Sequence, residues 1–248
     1  MFRFKLKNAK TLKDLLSAVS IMVDEATFSI SPDNITLRAM DPSHVAMVDL
    51  LWQKEAFDEY VCDAPTKICI GLTELLKLLK RVSENETADI SLDGVKLNIT
   101  LQGDYARKFS IPTIDIAAEE EVPNPKTTFT AKIELGSVTL KNIIDDAGAV
   151  SDHIVFEATD KFIVKAEGDL GNMSNELTKD SKTILGFQVE KEAKSIYALS
   201  YLADIVKAAS PNSDVVKLEF TTGMPIKLTY LLDKTKGSLS YYLAPRIE

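Results

Sequence analysis

Cysteine is nearly missing from this chain: Cys62 and Cys69 are the only two in 248 residues. Two cysteines with no second pair and no histidine beside them build neither a disulfide framework nor a zinc site, so two buried thiols are expected. Histidine is equally scarce, with His44 and His153 alone. No His-x-x-x-His spacing, paired Cys motif or glycine-rich phosphate loop occurs, and no cofactor or metal is expected. Asp145 and Asp146 are adjacent acids, but neighbouring side chains on a helix point about 100° apart and cannot chelate one ion together. No apolar run approaches the roughly 20 residues of a membrane span. At the start Phe2, Phe4 and Leu6 alternate with Arg3, Lys5 and Lys7, where a secretory signal would be continuously apolar. An intracellular protein with no membrane partner is the expectation.

What is present is an ordinary globular composition, 45% hydrophobic and 27% charged, with 10 Gly and 9 Pro. The length suits one large domain or two of about 120 residues. The net charge of −8 argues on its face against a nucleic-acid partner. Overall sign does not decide this; what matters is whether cations collect on one surface.

The opening alternation marks a half-buried strand. In residues 8–23 Leu12, Leu15, Leu16, Val19 and Met22 or Val23 recur at helical spacing, with Lys10 and Lys13 on another face. Strands follow at residues 26–30, 35–40 and 45–51, and residues 59–70 read as one further strand. A second helix spans residues 71–82, with Leu72, Leu75, Leu76, Leu79 and Val82 on one stripe and Lys77, Lys80 and Arg81 off it. Three strands close this half, at residues 88–92, 95–101 and 105–111, the first two joined by a hairpin turn at Asp93-Gly94.

The order then returns. Leu12-Lys-Asp-Leu-Leu16 matches Leu140-Lys-Asn-Ile-Ile144 at an offset of 128, and Asp24 to Phe28 matches Asp152 to Phe156 at the same offset. The second helices agree at an offset of 127, pairing Leu72 with Leu199, Leu75 with Leu202 and Lys80 with Lys207. Two helices recurring at nearly one offset imply a duplicated domain. Between the copies, Glu119, Glu120 and Glu121 repel one another while Pro123 and Pro125 exclude helix and central strand. The expected division is residues 1–116, a connector at 117–127, and residues 128–248. The fold class is α+β: two copies of antiparallel sheet with two amphipathic helices each, four helices and about eighteen strands in all, the helices covering one face of the sheet. Their polar faces carry seven cations, Lys10, Lys13, Lys77, Lys80, Arg81, Lys141 and Lys207, against Asp14, Glu74, Asp145, Asp146 and Asp204. The helices are thus net positive in an acidic chain.

Catalytic groupings are sparse. Asp41-Pro-Ser-His44 alone brings an acid, a hydroxyl and a histidine together. A capped Asp-Pro turn accounts for it better than a hydrolase does, since no third group orients the histidine. No enzymatic activity is expected, and His153 reads as structural or surface.

At the C-terminus, Leu239-Ser-Tyr-Tyr-Leu-Ala-Pro-Arg-Ile-Glu248 resembles the closing segment of the replication sliding clamps, the proliferating cell nuclear antigen (PCNA) family. Leu37-Arg-Ala-Met-Asp-Pro-Ser-His-Val-Ala-Met-Val-Asp-Leu50 is similar to the family's first-domain loop and strand, and Lys165-Ala-Glu-Gly-Asp-Leu-Gly171 to the matching part of the second. The resemblance runs the whole length, and an ending at Glu248 without an acidic extension looks archaeal. It implies a DNA polymerase processivity factor: three chains closed into a ring around duplex DNA, helices lining the hole. Localisation would be cytoplasmic with the nucleoid if archaeal, nuclear if eukaryotic. Helix count agrees with three chains. A duplex about 20 Å across, ringed by helices about 10 Å wide, leaves room for about 11 or 12 of them. A subunit of a heteromeric or checkpoint-type clamp shares these features, and a hydrolase using Asp41 and His44 is the remote alternative.

The resemblance also implies sites. The seven cations would face double-stranded DNA without reading sequence. Ring closure needs head-to-tail surfaces; residues 105–111 would meet residues 172–179 of the next subunit, involving Tyr105, Arg107, Lys108, Phe109, Asn172, Ser174, Glu176 and Leu177, with Lys80, Arg81, Arg107 and Lys108 facing Asp145 and Asp146. A replicative polymerase, a clamp loader, flap endonuclease and DNA ligase would dock short apolar and aromatic motifs into a pocket of Met40, His44, Val45, Met47, Val122, Pro123, Phe129, Tyr242, Leu243, Ala244 and Pro245.

Overall fold

The computed structural model describes residues 1–116, 122–123, 125–233 and 235–246. The chain runs β1 (Phe2–Leu6), α1 (Ala9–Ser20), β2 (Glu25–Ile30), β3 (Asn34–Met40), β4 (Ala46–Gln53), β5 (Glu59–Cys62), β6 (Thr66–Gly71), α2 (Leu72–Leu79), β7 (Thr87–Asp93), β8 (Lys96–Gln102) and β9 (Ala106–Pro112). The order resumes with β10 (Ala131–Gly136), α3 (Ser137–Gly148), β11 (His153–Ala158), β12 (Lys161–Gly168), β13 (Gly171–Thr178), β14 (Ile184–Val189), β15 (Ala193–Ala198), α4 (Leu199–Ala209), β16 (Val215–Phe220), β17 (Ile226–Leu231) and β18 (Gly237–Leu243). Short 3₁₀ turns occupy Lys54–Ala56 and Ser210–Asn212. No helix among the described residues is long and apolar enough to cross a membrane.

Two compact units result, one of Met1–Pro42, Val48–Val122 and Leu232–Ser238, the other of Ser43–Met47, Pro123–Leu231 and Leu239–Glu248. Each unit therefore takes a short segment from the other half of the sequence. The first unit holds an antiparallel sheet in the order β5-β1-β7-β8-β9 and a second run β6-β2-β3-β4. Its core lies between the two, where Phe4, Phe28, Ile30, Trp52, Ile90 and Ile99 meet Leu12, Leu15 and Leu75 from the helices around a cavity of about 50 Å³. Trp52 and Phe57 pack with ring centroids 4.4 Å apart, and Phe57 stands 4.8 Å from Phe4. The second unit repeats the plan with β13-β12-β11-β15 and the run β14-β10-β16-β17-β18. Phe156, Phe162 and Phe220, all fully buried, fill its centre with Tyr197.

Each unit thus has two runs of antiparallel strands rather than one sheet covered on a single face by helices. Residues 59–70, expected as one strand, are two. Asp63-Ala-Pro65 divides them, because Pro65 has no N–H for a ladder, and the two pieces join different sheets: β5 pairs with β1 and β6 with β2. Two buried thiols were also expected; Cys69 is buried, but Cys62, on the edge strand β5, is only half-buried.

All four helices start in one way. Only α1 has a side-chain cap, Asn8 accepting from the Lys10 N–H. The first helical N–H of each is taken by the carbonyl of an acidic residue: Ala9 by Glu86, Leu72 by Asp24, Ser137 by Asp214 and Leu199 by Asp152, at 2.7 to 2.9 Å. This satisfies a donor that helix geometry leaves open. Ala9 and Glu86 stand 128 positions before Ser137 and Asp214, as Asp24 does before Asp152. The duplication therefore extends to how the helices are entered.

Candidate functional site

Each unit carries a helix pair whose apolar stripe is buried. In the first, Leu12, Leu15, Leu16, Leu72 and Leu75 are covered; in the second, Leu140, Ile143, Ile144, Leu199 and Leu202. The cations on the open faces are unequal in number and in freedom. Lys10 Nζ lies 2.5 Å from Asp14 one turn on, which holds its ammonium above the usual lysine range. Lys77 pairs with Glu74 at 2.6 Å and Lys141 with Asp145 at 2.5 Å. Lys13, Lys80, Arg81 and Lys207 form no ion pair among the described residues.

Lys80 and Arg81 do not sit on the helical face where sequence spacing puts them. α2 ends at Leu79, Lys80 is its cap, and Arg81 follows in the turn. Both side chains are exposed there, and the Lys80 carbonyl accepts from Lys13 Nζ at 3.2 Å. Three cations thus gather where α2's free carbonyls carry partial negative charge, an arrangement the helix dipole favours. A continuous apolar stripe to Val82 hid this end, since neither Gly nor Pro marks it.

The expected subunit surfaces fall on sheet edges. β9 ends the five-stranded sheet of the first unit and β13 ends the four-stranded sheet of the second. Lys108, Asn172, Ser174 and Glu176 are exposed along them, and Phe109 is half-buried. Four side chains depart from the expected geometry. Tyr105 precedes β9, 65% exposed. Arg107 is only 12% exposed, because Glu86 grips it at 2.5 Å. Leu177 turns into its own unit's core at 8% exposed. Asp145 and Asp146 are both exposed, but Asp145 is held by Lys141. Glu176 is itself paired across the ladder with Lys161.

The expected docking pocket divides likewise. Within the second unit the exposed His44, the half-buried Val45 and the half-buried Tyr242, Ala244 and Pro245 form a surface, tied where Ala244 N–H donates to the Val45 carbonyl at 2.9 Å. His44 adopts a left-handed φ of 57°. Lys227 Nζ lies 5.4 Å from the Tyr242 ring centroid, a contact invisible in sequence because it depends on how β17 and β18 are brought together. Pro123 is exposed and Phe129 half-buried in the same unit. Met47 and Leu243 are core residues, 4% and 0% exposed, and offer a docking motif no surface. In the first unit Met40 is half-buried, and Val122 borders a groove of about 570 Å³ where Arg38 pairs with Asp49 at 3.1 Å. The three connector glutamates lie outside the described residues. Among the described residues, no cluster of His, Cys, Asp and Glu could hold a metal ion.

A duplicated α+β scaffold, two runs of antiparallel strands and two helices per copy with cations on the open helical faces, is the clamp architecture. Residues 1–117 match the family "Proliferating cell nuclear antigen, N-terminal domain", and residues 123–246 its C-terminal domain. The chain is 38% identical, over its whole length and 99% of the relative's, to a DNA polymerase sliding clamp of Thermococcus gammatolerans. It is 36% identical at the same coverage to one of Pyrococcus furiosus. The crystal structure of PCNA from Thermococcus kodakaraensis superposes with a TM-score of 0.93 at 31% identity, covering 99% of this chain and 100% of that one. The chain belongs to the proliferating cell nuclear antigen family. Members are processivity factors rather than enzymes, and the hydrolase alternative falls with that. Its two residues are also ill-matched, Asp41 being buried and His44 exposed.

Proposed function

We propose that this chain is one subunit of a DNA polymerase sliding clamp, a closed ring of three chains that encircles duplex DNA and tethers replication and repair enzymes to it. The observation that carries this is the pair of matched helix faces: apolar inside, cationic outside, and without base-reading chemistry. Apart from the half-buried Tyr201, the four helices offer no aromatic to stack on a base, and Asn142 is their only amide side chain. Such a surface meets phosphates and ignores sequence, as a ring that slides must.

Ring closure joins edge strand β9 of one subunit to edge strand β13 of the next, which hides two edges that would otherwise invite aggregation. Partners dock a short apolar and aromatic motif on the surface around His44, Val45, Tyr242, Ala244 and Pro245. A replicative polymerase, a clamp loader, flap endonuclease and DNA ligase are the expected users. The test is a processivity assay on primed circular DNA together with native mass measurement of the unassisted protein. A trimer that lengthens polymerase products supports the reading, and a monomer that never stimulates a polymerase overturns it.

A further inference from the structure

One groove of the second unit shares only Pro245 with the docking surface and extends beyond it. It has a volume of about 470 Å³ and is lined by Lys194, Ile196, Thr222, Gly223, Pro245 and Arg246. Its floor is β15, the edge strand of the four-stranded sheet opposite β13. Two bonds close the ends of that floor: the Lys194 N–H donates to Thr222 Oγ1 at 3.1 Å, and the Arg246 N–H to the Ile196 carbonyl at 2.8 Å. Gly223, at φ +65°, leaves open space where a side chain would project.

The rim is cationic, and among the described residues Lys194 and Arg246 each share their acid with a second side chain. Lys194 Nζ lies 3.1 Å from Glu157, but Lys165 reaches the same carboxylate at 2.8 Å. The Lys194 side chain remains 62% exposed, while Glu157 is 15% exposed. Arg246 reaches Asp152 at 3.3 Å, and that carboxylate is shared with His153 Nδ1 at 2.7 Å. The hydrogen bond from His153 and then that from Arg246 hold the Asp152 carboxyl below its usual range. Ion pairs this exposed are weak and yield to a better placed carboxylate. Two lysines on one carboxylate leave Lys194 with charge that a bound anion can use, and the exposed Arg246–Asp152 pair can open to one.

We propose that this groove is an auxiliary subsite for the docked partner, receiving one or more carboxylate side chains that flank its apolar motif. The inference rests on the partner surface proposed above, because Pro245 belongs to both and a chain anchored beside Tyr242 and Ala244 needs only to continue past it. Charge complementarity selects the occupant. In a protein of net charge −8, most of the surface repels an acidic flank, and this groove attracts one. The apolar pocket would supply affinity common to all partners, and the Lys194 and Arg246 rim would rank them by the charge beside their motif.

The experiment uses the full-length protein and one synthetic peptide carrying a flap-endonuclease docking segment, in three forms: three Glu before the segment, three Glu after it, and three Gln on both sides. Affinities are read by fluorescence anisotropy at low and high salt. One of the Glu forms should bind about three- to tenfold more tightly than the Gln form at low salt. That gain should vanish in a Lys194→Gln, Arg246→Gln protein and at high salt, with the Gln form binding both proteins alike. Lys194→Gln alone, which leaves the Arg246 guanidinium in place, should remove part of the gain. Equal affinity of all three peptides, or a gain that survives the double substitution, overturns the subsite while leaving the partner surface intact. A Gln-flanked peptide that binds neither protein removes both.

Discussion

The two helix pairs can be laid side by side. Inside, Leu12, Leu15, Leu16, Leu72 and Leu75 of the first answer to Leu140, Ile143, Ile144, Leu199 and Leu202 of the second, every one buried. Outside, the first pair and its following turn carry five cations, and the second pair two. After pairing with acids on their own helices, the first half is left with Lys13, Lys80 and Arg81 and the second with Lys207. Burial penalises each change of shape and each lost methylene, so a duplicated core stays duplicated. On the function proposed above, a surface that meets DNA by summed charge needs only an adequate total, so its cations are free to gather in one copy.

The largest effect should come from matched core truncations. Leu72→Ala and Leu199→Ala remove side chains 0% and 4% exposed from equivalent helix starts, and each should cost about 2–5 kcal/mol in urea unfolding. Similar costs sharpen the claim that the cores are equivalent; a twofold disparity breaks it.

Glu86 and Asp214 offer a smaller contrast. Both carbonyls receive a helix's first N–H, but among the described residues only the Glu86 side chain has a second task, accepting from Ser83 N–H at 2.8 Å and holding Arg107 at 2.5 Å. Glu86→Gln should therefore cost about 1–2 kcal/mol, and Asp214→Asn no more than about 0.5. The Ser83 backbone bond, then Arg107, keep the Glu86 carboxyl below its usual range. A depressed acid stabilises the fold above its unfolded-state pKa, and the contribution fades as pH falls through the folded value. Stability of the Gln variant should thus decline less than that of the unaltered protein as pH drops below the ordinary carboxylate range. Equal acid sensitivity would show that Glu86 contributes nothing of this kind.

On DNA the halves should separate. Each phosphate contact adds about 0.9 or less to the slope of log affinity against log salt. Replacing Lys13, Lys80 and Arg81 by Ala should flatten the slope for retention on circular DNA by about 2 per subunit. Replacing Lys141 and Lys207 should change it by about 1, because Asp145 already answers Lys141. Equal losses would mean that the pairing seen on the helices is broken on DNA.

These contrasts also mark how far the sequence could be read. Periodicity located all four helices and the repeat, because an apolar stripe is a local property. Features set by distant partners escaped it. Nothing in residues 59–70 tells that β5 and β6 leave for different sheets. Arg107 looked like a free interface cation until the fold brought Glu86 beside it. In the docking motif, Tyr242 and Leu243 are neighbours on a strand, and alternation sends one to the surface and the other into the core. A motif match cannot separate the two, whereas a strand's period can.

The smallest expected effect tests a residue with two competing assignments. Sequence reasoning gave Asp145 to the neighbouring subunit's cations, while the fold pairs it with Lys141 on its own helix at 2.5 Å. Asp145→Asn discriminates. If its work is within α3, the variant frees Lys141, the trimer mass stays unchanged at low salt, and the salt slope of DNA retention steepens by about 0.9 or less per subunit. The helix itself should lose only about 0.2–0.5 kcal/mol, the usual worth of an exposed pair one turn apart. If Asp145 instead reaches across to the next chain, the same substitution loosens the ring and retention falls at every salt concentration. A steeper slope with an intact trimer would bring the second helix pair closer to the first in free charge, and so show that the imbalance between the halves is set by the acids as well as by the count of lysines.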